Sequence, residues 1–369
     1  MKLIILRSNL KEVLTSAERA VIDNPNLPVL RHIVLRVDSR LTVQATNLEI
    51  GVTSVTSAKI VEQGEICVPL APLMSIIASS VNERITLETK ENTLIVATEN
   101  YQAKIQGMAA EEFPIIPKIA EGSATLEIPA AIFKNSLSQV ISAAAANDFK
   151  PELHSVLLSL FGGSLKLVAT DGFRLAEKTF PQNTYAAHSE GDIKALIPLK
   201  TAQEVMRTFP DTDQLEISVD GSQVLFKSKD ISVISRLIDG NYPDYEVILP
   251  KKTTTELYVD KEEFLSAIKL VSSFSGKNSD VTLRVSSEKD SIELFAANQL
   301  LGENAYQVAL KKKKLEGISK VVFNWRFLSD AVKSMTDGGV MLGLTAENKP
   351  VIIRCADTSL FYIVMPVQQ

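Results

Sequence analysis

The chain has 369 residues, of which 45% are hydrophobic and 22% are charged, and its formal net charge is −5. These are the proportions of an ordinary globular protein, and the length predicts two or three domains, each with an ample core. The net charge gives no indication of nucleic-acid binding.

No apolar run approaches the length that spans a bilayer, and the opening MKLIILRSNLKEVL has too short an apolar core for a signal peptide. The two cysteines, Cys67 and Cys355, lie in apolar strand-like runs. Their setting argues against a disulfide framework or a zinc site and fits a reducing compartment. We therefore expect a cytoplasmic protein without membrane contact.

The first fifty residues predict one helix and several strands. Residues 2–7 read as a short strand, and Ser8 or Asn9 can cap the helix that follows. A proline-containing turn and a second strand lead to segment 41–52, LTVQATNLEIGV, whose two-residue alternation predicts a β-hairpin. The apolar stripe of the helix has helical spacing and comprises Leu10, Val13, Leu14 and Ala17.

The hairpin sequence recurs twice. Segment 165–176 reads LKLVATDGFRLA, and segment 292–303 reads IELFAANQLLGE. When the three are aligned, Asn47, Asp171 and Asn298 coincide at the turn, where short polar side chains bond to the backbone. The spacings, 165 − 41 = 124 and 292 − 165 = 127, are those of a whole domain.

Each hairpin follows the same elements in the same order, namely strand, helix, turn and strand. In the second copy Pro129 stands at the start of the helix, and in the third Asp260 can cap it. The repeat predicts three domains, at 1–120, 121–250 and 251–369.

Each domain has a second half that echoes the first, with a strand, a helix and three further strands. The second helices are predicted at 70–80, 199–209 and 324–335. The fold class is therefore α+β, built as three tandem repeats of one domain, each domain consisting of two helix-plus-four-strand halves.

The sequence lacks a familiar catalytic or metal-binding motif. It has no Walker lysine loop and no GxGxxG after a strand, and His32, His154 and His188 are scattered. Asp171 is expected to bond within its turn, and the lysine run 311–314 is expected to be a solvated loop. We expect no cofactor and no metal.

One alternative from another class stays open. Repeated α+β domains can host an active site at a domain junction, where Asp171, Arg174 and Asp244 would cluster. Hydrodynamic mass discriminates between this enzyme and the protein suggested by the resemblance described next.

Several motifs together resemble the bacterial DNA polymerase III β subunit family, the sliding clamps, over essentially the whole chain. They are ATDGFRLA at 169–176, NYPDYEVILP at 241–250, YIVMP at 362–366, the opening MKLIILRSNL and LPVL at 27–30. The resemblance implies a head-to-tail homodimeric ring with helices inside and sheets outside. It implies a non-catalytic processivity factor of DNA replication that encircles double-stranded DNA without sequence preference. Polymerase and 3′–5′ exonuclease activities belong to the holoenzyme complex.

The family tethers DNA polymerase subunits, the clamp loader and repair proteins through short peptides bound in a groove between the second and third domains. This chain departs from the family pattern at Phe173, at Val247 and in the tail Val367-Gln368-Gln369, which makes the pocket more apolar. The matching groove positions are Leu153, Thr170, Gly172, Phe173, Arg174, Leu175, Pro243, Val247, Ile248, Ile363, Val364, Met365 and Pro366.

The resemblance also implies which residues face DNA and which join the two copies. The dimer contact is expected between the first domain of one copy and the third of the other, with Ala103, Ile105, Leu270 and Val271 as candidates. The DNA-facing candidates are Lys11, Asn24, Lys134, Lys150, Lys200, Arg207, Lys269 and Arg326.

Overall fold

The computed structural model of the chain describes residues 1–147, 149–188, 192–285, 288, 290–314 and 318–367. Two compact units account for the described residues. Unit 1 comprises Met1–Ile132, Tyr185–Gly191 and Gln203–Leu237, and unit 2 comprises Phe133–Thr184, Asp192–Ala202 and Ile238–Gln369.

Helices and strands alternate in a fixed order along the described chain. The helices are α1 (Arg7–Glu18), α2 (Leu70–Ser79), α3 (Ala130–Val140), α4 (Leu199–Thr208), α5 (Lys261–Ser272) and α6 (Trp325–Ser334). The strands of the first predicted domain are β1 (Lys2–Leu6), β2 (His32–Val37), β3 (Leu41–Thr46), β4 (Ile50–Thr56), β5 (Lys59–Glu62), β6 (Gly64–Pro69), β7 (Arg84–Lys90), β8 (Thr93–Ala97) and β9 (Gln102–Gln106).

The second and third predicted domains repeat this order. The strands of the second are β10 (Ala124–Pro129), β11 (Ser155–Phe161), β12 (Ser164–Thr170), β13 (Arg174–Thr179), β14 (Ala186–Ala187), β15 (Ile193–Pro198), β16 (Gln214–Val219), β17 (Gln223–Lys227) and β18 (Ile231–Arg236). Those of the third are β19 (Thr255–Asp260), β20 (Asp280–Val285), β21 (Ser291–Asn298), β22 (Gly302–Lys314), β23 (Lys320–Asn324), β24 (Gly339–Leu344), β25 (Val351–Arg354) and β26 (Leu360–Val364).

This order confirms the predicted α+β fold of six half-domains, each a strand, a helix and three strands. The short strands β5 and β14 were not predicted. The domain boundaries at 120 and 250 stay predictions.

Within each domain the two halves exchange their first strands. Strand β1 pairs with β7 of the second half, and β6 of the second half pairs with β2 of the first. The second domain repeats this with β10 on β16 and β15 on β11, and the third with β19 on β24 and β23 on β20. Neither half can therefore complete its sheet alone.

Two antiparallel joints link the sheets of successive domains. In unit 1, β4 pairs with β18 to make a nine-stranded sheet. In unit 2, β13 pairs with β26 in a twelve-stranded sheet. A five-stranded sheet in unit 1 ends at β9, which leaves one side of that strand without a partner among the described strands.

The core lies between sheets and helices, as the predicted stripes require. Leu10, Leu14 and Ala17 of α1 are fully buried, and so are Phe264 and Val271 of α5. Amphipathic helices of this kind gain their stability mainly from the apolar face they bury.

The helix caps follow the sequence in one place and depart from it in another. Asp260 accepts hydrogen bonds from the backbone N–H groups of Glu262 and Glu263, so its predicted capping role is confirmed. The predicted Ser8 or Asn9 cap is wrong, because α1 begins at Arg7 without a side-chain cap. Glu83 takes that role, since its carbonyl accepts from Arg7 N and its carboxylate accepts from Ser8 N.

The prediction of a solvated loop at 311–314 is also wrong, because these lysines form the end of β22. Alternate side chains find opposite charges, with Lys311 Nζ 2.9 Å from Asp260 Oδ2 and Lys313 Nζ 2.9 Å from Asp290 Oδ1. The lysine run is therefore a strand end in which two of the four charges are paired with carboxylates.

Among the helices of the described ranges, none is long and apolar enough to cross a membrane. The described residues also contain no cluster of three His, Cys, Asp or Glu side chains arranged to hold a metal ion. Both cysteines are free, and burial raises the pKa of the Cys67 thiol to about 12.

Candidate functional site

The candidate site in unit 2 begins at the turn between β12 and β13, where Thr170 and Asp171 hold the chain. Thr170 Oγ1 donates to the carbonyl of Arg174 at 2.6 Å and accepts from Gly172 N at 3.1 Å. Asp171 Oδ1 accepts from the N–H groups of Phe173 and Arg174 at 2.9 and 3.0 Å. Gly172 sits at φ +88°, a conformation that costs glycine little. The turn is therefore built by its own side chains, as predicted for Asp171.

The C-terminal strand lies directly beside this turn. Strand β26 pairs with β13 so that Val364 is opposite Arg174 and Ile363 is opposite Leu175. Met365 N donates to the carbonyl of Phe173 at 2.9 Å. The motifs at 169–176 and 362–366 are thus adjacent in space although they are far apart in sequence.

The third motif, 241–250, packs onto the same sheet. Tyr242 is buried in one cluster with Leu175 and Ile363, and Tyr245 and Leu249 pack against that cluster. Tyr245 Oη donates to Glu177 Oε2 at 2.6 Å. Burial, and for Tyr245 also the nearby Glu177 carboxylate, raises the pKa of both phenols well above the ordinary value, so both stay protonated.

On the other side of the turn, Arg174 is held by two carboxylates and an aromatic ring. Its Nε lies 3.1 Å from Asp171 Oδ2, and its Nη1 lies 2.5 Å from Asp330 Oδ2 on α6. The guanidinium stacks 4.5 Å from the centre of the Phe327 ring. Burial alone would lower the pKa of this guanidinium, but Tyr362, Asp330 and Asp171 hold it above its ordinary value. Arg174 is therefore a fixed cation that ties the turn to α6.

The thirteen groove positions divide into a buried base and an exposed rim. Phe173 is 64% exposed and Val247 is 76% exposed, so the rim presents large apolar side chains to solvent. Arg174, Met365 and Pro366 are half-buried. The buried positions are Leu153, Thr170, Leu175, Ile363 and Val364, and the other exposed positions are Gly172, Pro243 and Ile248. Of the tail, Val367 is described, whereas Gln368 and Gln369 lie outside the described residues.

The alternative enzyme site does not assemble. Asp171 and Arg174 bond to each other and to the turn, so both are occupied structurally. Asp244 lines a separate open depression of about 720 Å³ together with Ser159, Lys166 and Lys194. No hydrogen bond or ion pair among the described residues joins Asp244 to Asp171 or Arg174.

Six of the eight predicted DNA-facing residues lie on helices, and most of the eight are open to solvent. Lys11, Lys200 and Lys269 are exposed on α1, α4 and α5. Arg207 is exposed and lies 3.3 Å from Glu204. The remaining candidates are Lys150 and Arg326, which are exposed, and Asn24 and Lys134, which are half-buried.

The predicted dimer residues differ in exposure. Ala103 is half-buried on the edge strand β9, and Leu270 at the end of α5 is 54% exposed. Ile105 and Val271 are 6% and 0% exposed within the single chain, so their side chains belong to its own core. Ala103 and Leu270 therefore remain the two members with side chains available to a partner.

Sequence reasoning missed Phe327, Asp330 and Tyr242 as parts of the site. Asp330 is 156 residues from Arg174, and no local pattern signals a contact over such a distance. Tyr242 carried a usable signal, since an aromatic residue before proline at the end of a domain repeats at Phe113.

Comparison with known proteins places these motifs in one family. Models of the DNA polymerase III beta subunit match the chain in three parts, with the N-terminal domain at residues 1–117, the central domain at 127–244 and the C-terminal domain at 246–368. Together they cover nearly the whole chain.

Relatives and solved structures agree with these matches. The chain is 27% identical to the beta sliding clamp of Synechocystis, over 100% of this chain and 99% of the relative, and 25% identical to that of Bacillus subtilis, over 100% of both. It also resembles the crystal structure of the DNA polymerase III subunit beta from Pseudomonas aeruginosa (TM-score 0.93, 25% identity, 100% of both chains). The Bacillus subtilis sliding clamp structure is similar too (TM-score 0.92, 25% identity, 100% of this chain and 99% of that one). The chain therefore belongs to the DNA polymerase III beta subunit family, the sliding clamps, and is a non-catalytic processivity factor rather than an enzyme.

Proposed function

We propose that two copies of this chain close head to tail into a ring around duplex DNA, with the helices toward the DNA and the sheets outward. The ring tethers DNA polymerase subunits, the clamp loader and repair proteins by binding a short peptide of each in the groove of unit 2. It acts in the cytoplasm, where bacterial chromosomal DNA lies.

The observation that carries the peptide proposal is the exposure of large apolar side chains around a rigid turn. Phe173 projects from a turn held by four hydrogen bonds, and Val247 stands beside Tyr245 and Leu249, which pack on the same buried cluster. The buried floor of the groove is already ordered, so it loses little conformational entropy when it binds an extended peptide. Apolar rim residues with few polar neighbours suit leucine and phenylalanine anchors.

Peptide binding can be tested by fluorescence anisotropy with a labelled peptide bearing leucine and phenylalanine anchors. Phe173→Ala should weaken binding about tenfold or more, because a rim aromatic of this kind is typical of binding hot spots. Leu300→Ala is the matched control, since Leu300 is a large apolar residue that is 93% exposed in the turn between β21 and β22 and is not a groove position. Removal of residues 365–369 should abolish binding and leave the dimer intact. Binding that survives this truncation would place the peptide site elsewhere.

DNA binding is proposed to come from cations on the helices. The chain as a whole is acidic, with a net charge of −5, so the cations on the helices would give the centre of the ring only a weak positive potential. This potential would attract the duplex through its phosphates and still allow the ring to slide along it. The chain should bind linear DNA weakly and without base preference, and should stay on DNA only when the ends are blocked.

Reversal of Lys11, Lys200 and Lys269 to glutamate tests this mode. Loading and residence on circular DNA should fall and the salt dependence of binding should become shallower, because three phosphate contacts are removed. The matched control reverses Lys59, Lys194 and Lys227, which are exposed on strands. Tight, sequence-selective binding to a short linear duplex would contradict the ring.

The dimer itself predicts a mass near twice 40.4 kDa. Strand β9 and the outer side of β22 each offer unpaired backbone groups, and exposed edges of this kind pair readily with another chain. Analytical ultracentrifugation that gives a monomer mass at micromolar concentration would contradict head-to-tail closure.

A further inference from the structure

The lysine run at the end of β22 belongs to a wide sheet whose two faces differ. Alternation along β19 buries Leu257 and Val259 and leaves Tyr258 half-buried on the opposite face. Strands β22, β19, β24, β25 and β26 are consecutive neighbours in the twelve-stranded sheet, and all of them lie in unit 2. Side chains that stand directly opposite in register share a face, so the register identifies the residues beside Tyr258.

One row of side chains crosses these five strands on the face of Tyr258. Tyr258 is paired with Lys312 on one side and with Met341 on the other. Met341 is paired in turn with Arg354, and Arg354 with Phe361. We call this set the cross-strand row, and it consists of Lys312, Tyr258, Met341, Arg354 and Phe361.

Both cations of the cross-strand row lie over aromatic rings. Lys312 Nζ is 5.5 Å from the centre of the Tyr258 ring, and the Arg354 guanidinium is 6.0 Å from the centre of the Phe361 ring. The two cations are exposed, whereas the two rings and Met341 are half-buried and still reach solvent. The lysine run itself contains no aromatic residue, so the fold supplies from neighbouring strands the rings that the run lacks.

The cations on this face are not neutralised by ion pairs. Lys312, Lys314 and Arg354 are exposed and form no ion pair among the described residues. Glu256, which stands opposite Lys314, accepts hydrogen bonds on both carboxylate oxygens, at 2.9 and 3.1 Å. The hydrogen bond from Thr253 and the two nearby lysines hold the pKa of this carboxyl below its ordinary value. Glu256 is therefore ionised and already bonded, and it offsets one of three positive charges.

The next residue across the sheet adds no free negative charge. Glu177 of β13 stands opposite Phe361 and is 5% exposed. Its two carboxylate oxygens lie 2.6 Å from Tyr245 Oη and 3.2 Å from Lys166 Nζ. Because Lys166 balances Glu177, the cross-strand row keeps its surplus of positive charge.

We propose that the cross-strand row binds single-stranded DNA, with bases stacked on Tyr258 and Phe361 and phosphates at Lys312, Lys314 and Arg354. Rings beside cations are the chemistry of sequence-tolerant single-strand sites, because every base has a face that can stack. The two rings are three strand spacings apart, about 14 Å, which a few nucleotides can cover. The row shares no residue with the thirteen groove positions or with the helices and needs no ring closure, so this inference goes beyond the proposed function.

The combination of rings and cations favours an unpaired strand over other anionic partners. A duplex keeps its base faces stacked inside, so it would engage the cations and leave the rings unused. An acidic protein segment offers carboxylates but no planar face to stack. The strand is DNA, because the chain is a processivity factor of DNA replication, and replication exposes an unpaired template.

Fluorescence anisotropy of the full chain with a labelled oligothymidylate of about 20 nucleotides tests the site. Tyr258→Leu keeps the bulk and removes the ring, so the dissociation constant should rise roughly fivefold or more. Lys312→Gln with Arg354→Gln should weaken binding and reduce the slope of log affinity against log salt by ~0.7 per cation. Lys59→Gln with Lys194→Gln is the matched control, since both are exposed lysines on other strands, and it should change neither quantity.

A photochemical crosslink locates the bound strand. Iododeoxyuridine in the oligothymidylate couples to nearby aromatic side chains on irradiation, so mass spectrometry should find adducts at Tyr258 and Phe361. Adducts confined to residues outside the cross-strand row would overturn the proposal. Circular dichroism and thermal unfolding of each variant verify that it is folded.

The remaining outcomes separate this site from the proposed ring. Wild-type chain that binds no oligothymidylate would overturn the site, and so would binding that Tyr258→Leu leaves unchanged while reversal of Lys11, Lys200 and Lys269 abolishes it. Competition by duplex DNA or polyglutamate as strong as that by unlabelled oligothymidylate would also overturn it. A monomeric chain whose oligothymidylate binding still depends on Tyr258 would overturn the ring and leave the single-strand site standing.

Discussion

The turns at 46–50 and 170–174 have the same backbone and different surroundings. Thr46 Oγ1 donates to Ile50 O at 2.9 Å, and Asn47 Oδ1 accepts from Ile50 N at 2.7 Å. These bonds repeat those of Thr170 and Asp171. The threonine followed by Asn or Asp therefore encodes the turn in both places.

The positions after that pair differ. Where unit 2 has Arg174, held by Asp171 and Asp330, unit 1 has the buried Ile50. Where unit 2 has Leu175 beneath Tyr242, unit 1 has Gly51. A Cβ at Gly51 would lie 2.7 Å from Ile116 Cγ2, so Ile116 fills the space that a side chain takes in unit 2.

The threonine and the Asn or Asp after it form the hairpin turn, whereas the residues that follow them determine the surface beside the hairpin. A shared turn fixes the path of the chain, and the next residues decide whether the neighbouring segment packs closely or leaves a rim with Phe173 exposed. The following predictions test that separation, from the largest expected effect to the smallest.

Substitutions at the buried position, which is Leu175 in unit 2 and Gly51 in unit 1, should have the largest effect on stability. Leu175→Ala removes a fully buried side chain, so the free energy of unfolding should fall by about 3 kcal/mol. Gly51→Ala should cost about 1–2 kcal/mol by overpacking against Ile116, and Ile116→Ala, which removes the Cγ2 methyl that the new Cβ would meet, should recover part of it. Hydrogen exchange of β13 and β4 amides measures both; a neutral Gly51→Ala would show that Ile116 moves freely.

Removal of the Arg174 charge, which has no counterpart in unit 1, should have the next largest effect on stability. Arg174→Ala leaves Asp171 and Asp330 without their partner, and we expect a loss of about 2 kcal/mol in unfolding free energy. Urea unfolding monitored by Trp325, the single tryptophan, reports on unit 2. Ile50→Val is the control at the equivalent position in unit 1, where circular dichroism replaces the tryptophan signal, and it should cost about 1 kcal/mol. Equal losses would mean that the charge network adds nothing beyond packing.

The third position of the turn should respond with opposite signs in the two regions. Leu48 adopts φ +76°, where a side chain is strained, and Gly172 adopts φ +88°. Leu48→Gly should therefore leave the free energy of unfolding unchanged or raise it by up to about 1 kcal/mol. Gly172→Ala should lower the free energy of unfolding by about 1 kcal/mol. Thermal unfolding of the two variants measures the difference. A destabilised Leu48→Gly would mean that the contacts of Leu48 outweigh its strain.

The far end of the β13–β26 joint predicts a pH effect. Burial works to raise the pKa of Asp357, but hydrogen bonds from Lys178 and Ser359 hold it below its ordinary value. The carboxylate therefore stabilises the fold above its unfolded pKa, and this contribution disappears as the pH falls below about 4. Asp357→Asn should flatten the acid limb of the stability curve measured by urea unfolding. An unchanged acid slope would remove Asp357 from the groups that drive acid unfolding.

The smallest effect is expected for the polar residue of the turn. Asn47→Asp keeps both backbone bonds, so stability should change by less than about 0.5 kcal/mol. Asp171→Asn should cost about 1 kcal/mol, because it also weakens the bond from Arg174 Nε at 3.1 Å. Matched urea curves for the two variants test the comparison, and equal costs would contradict it.

The sequence carried the local part of this fold. Alternation and turn chemistry predicted all three hairpins, and Asp260 predicted a helix cap, since each signal lies within a few residues. The Ser8 or Asn9 cap failed because Glu83, 75 residues away from Ser8, satisfies the helix start. The lysine run failed because the charges that neutralise it lie on distant segments, such as Asp260.

The site was predictable only in its sequence motifs. ATDGFRLA gave the turn, but the contact of Arg174 with Phe327 and Asp330 depends on how α6 packs, and periodicity does not record that. The exchange of first strands between half-domains is equally hidden, because pairing partners such as Lys2 and Glu88 leave no trace in local alternation.

The pairing of β13 with β26 has a consequence for synthesis. Arg174 pairs with Val364, which is synthesised 364 − 174 = 190 residues later. At bacterial elongation rates this interval is on the order of ten to forty seconds, during which the middle hairpin keeps one side open on the ribosome. The last strand to emerge closes a sheet begun half a chain earlier, so a chain released a few residues short leaves that edge exposed for aggregation or proteolysis.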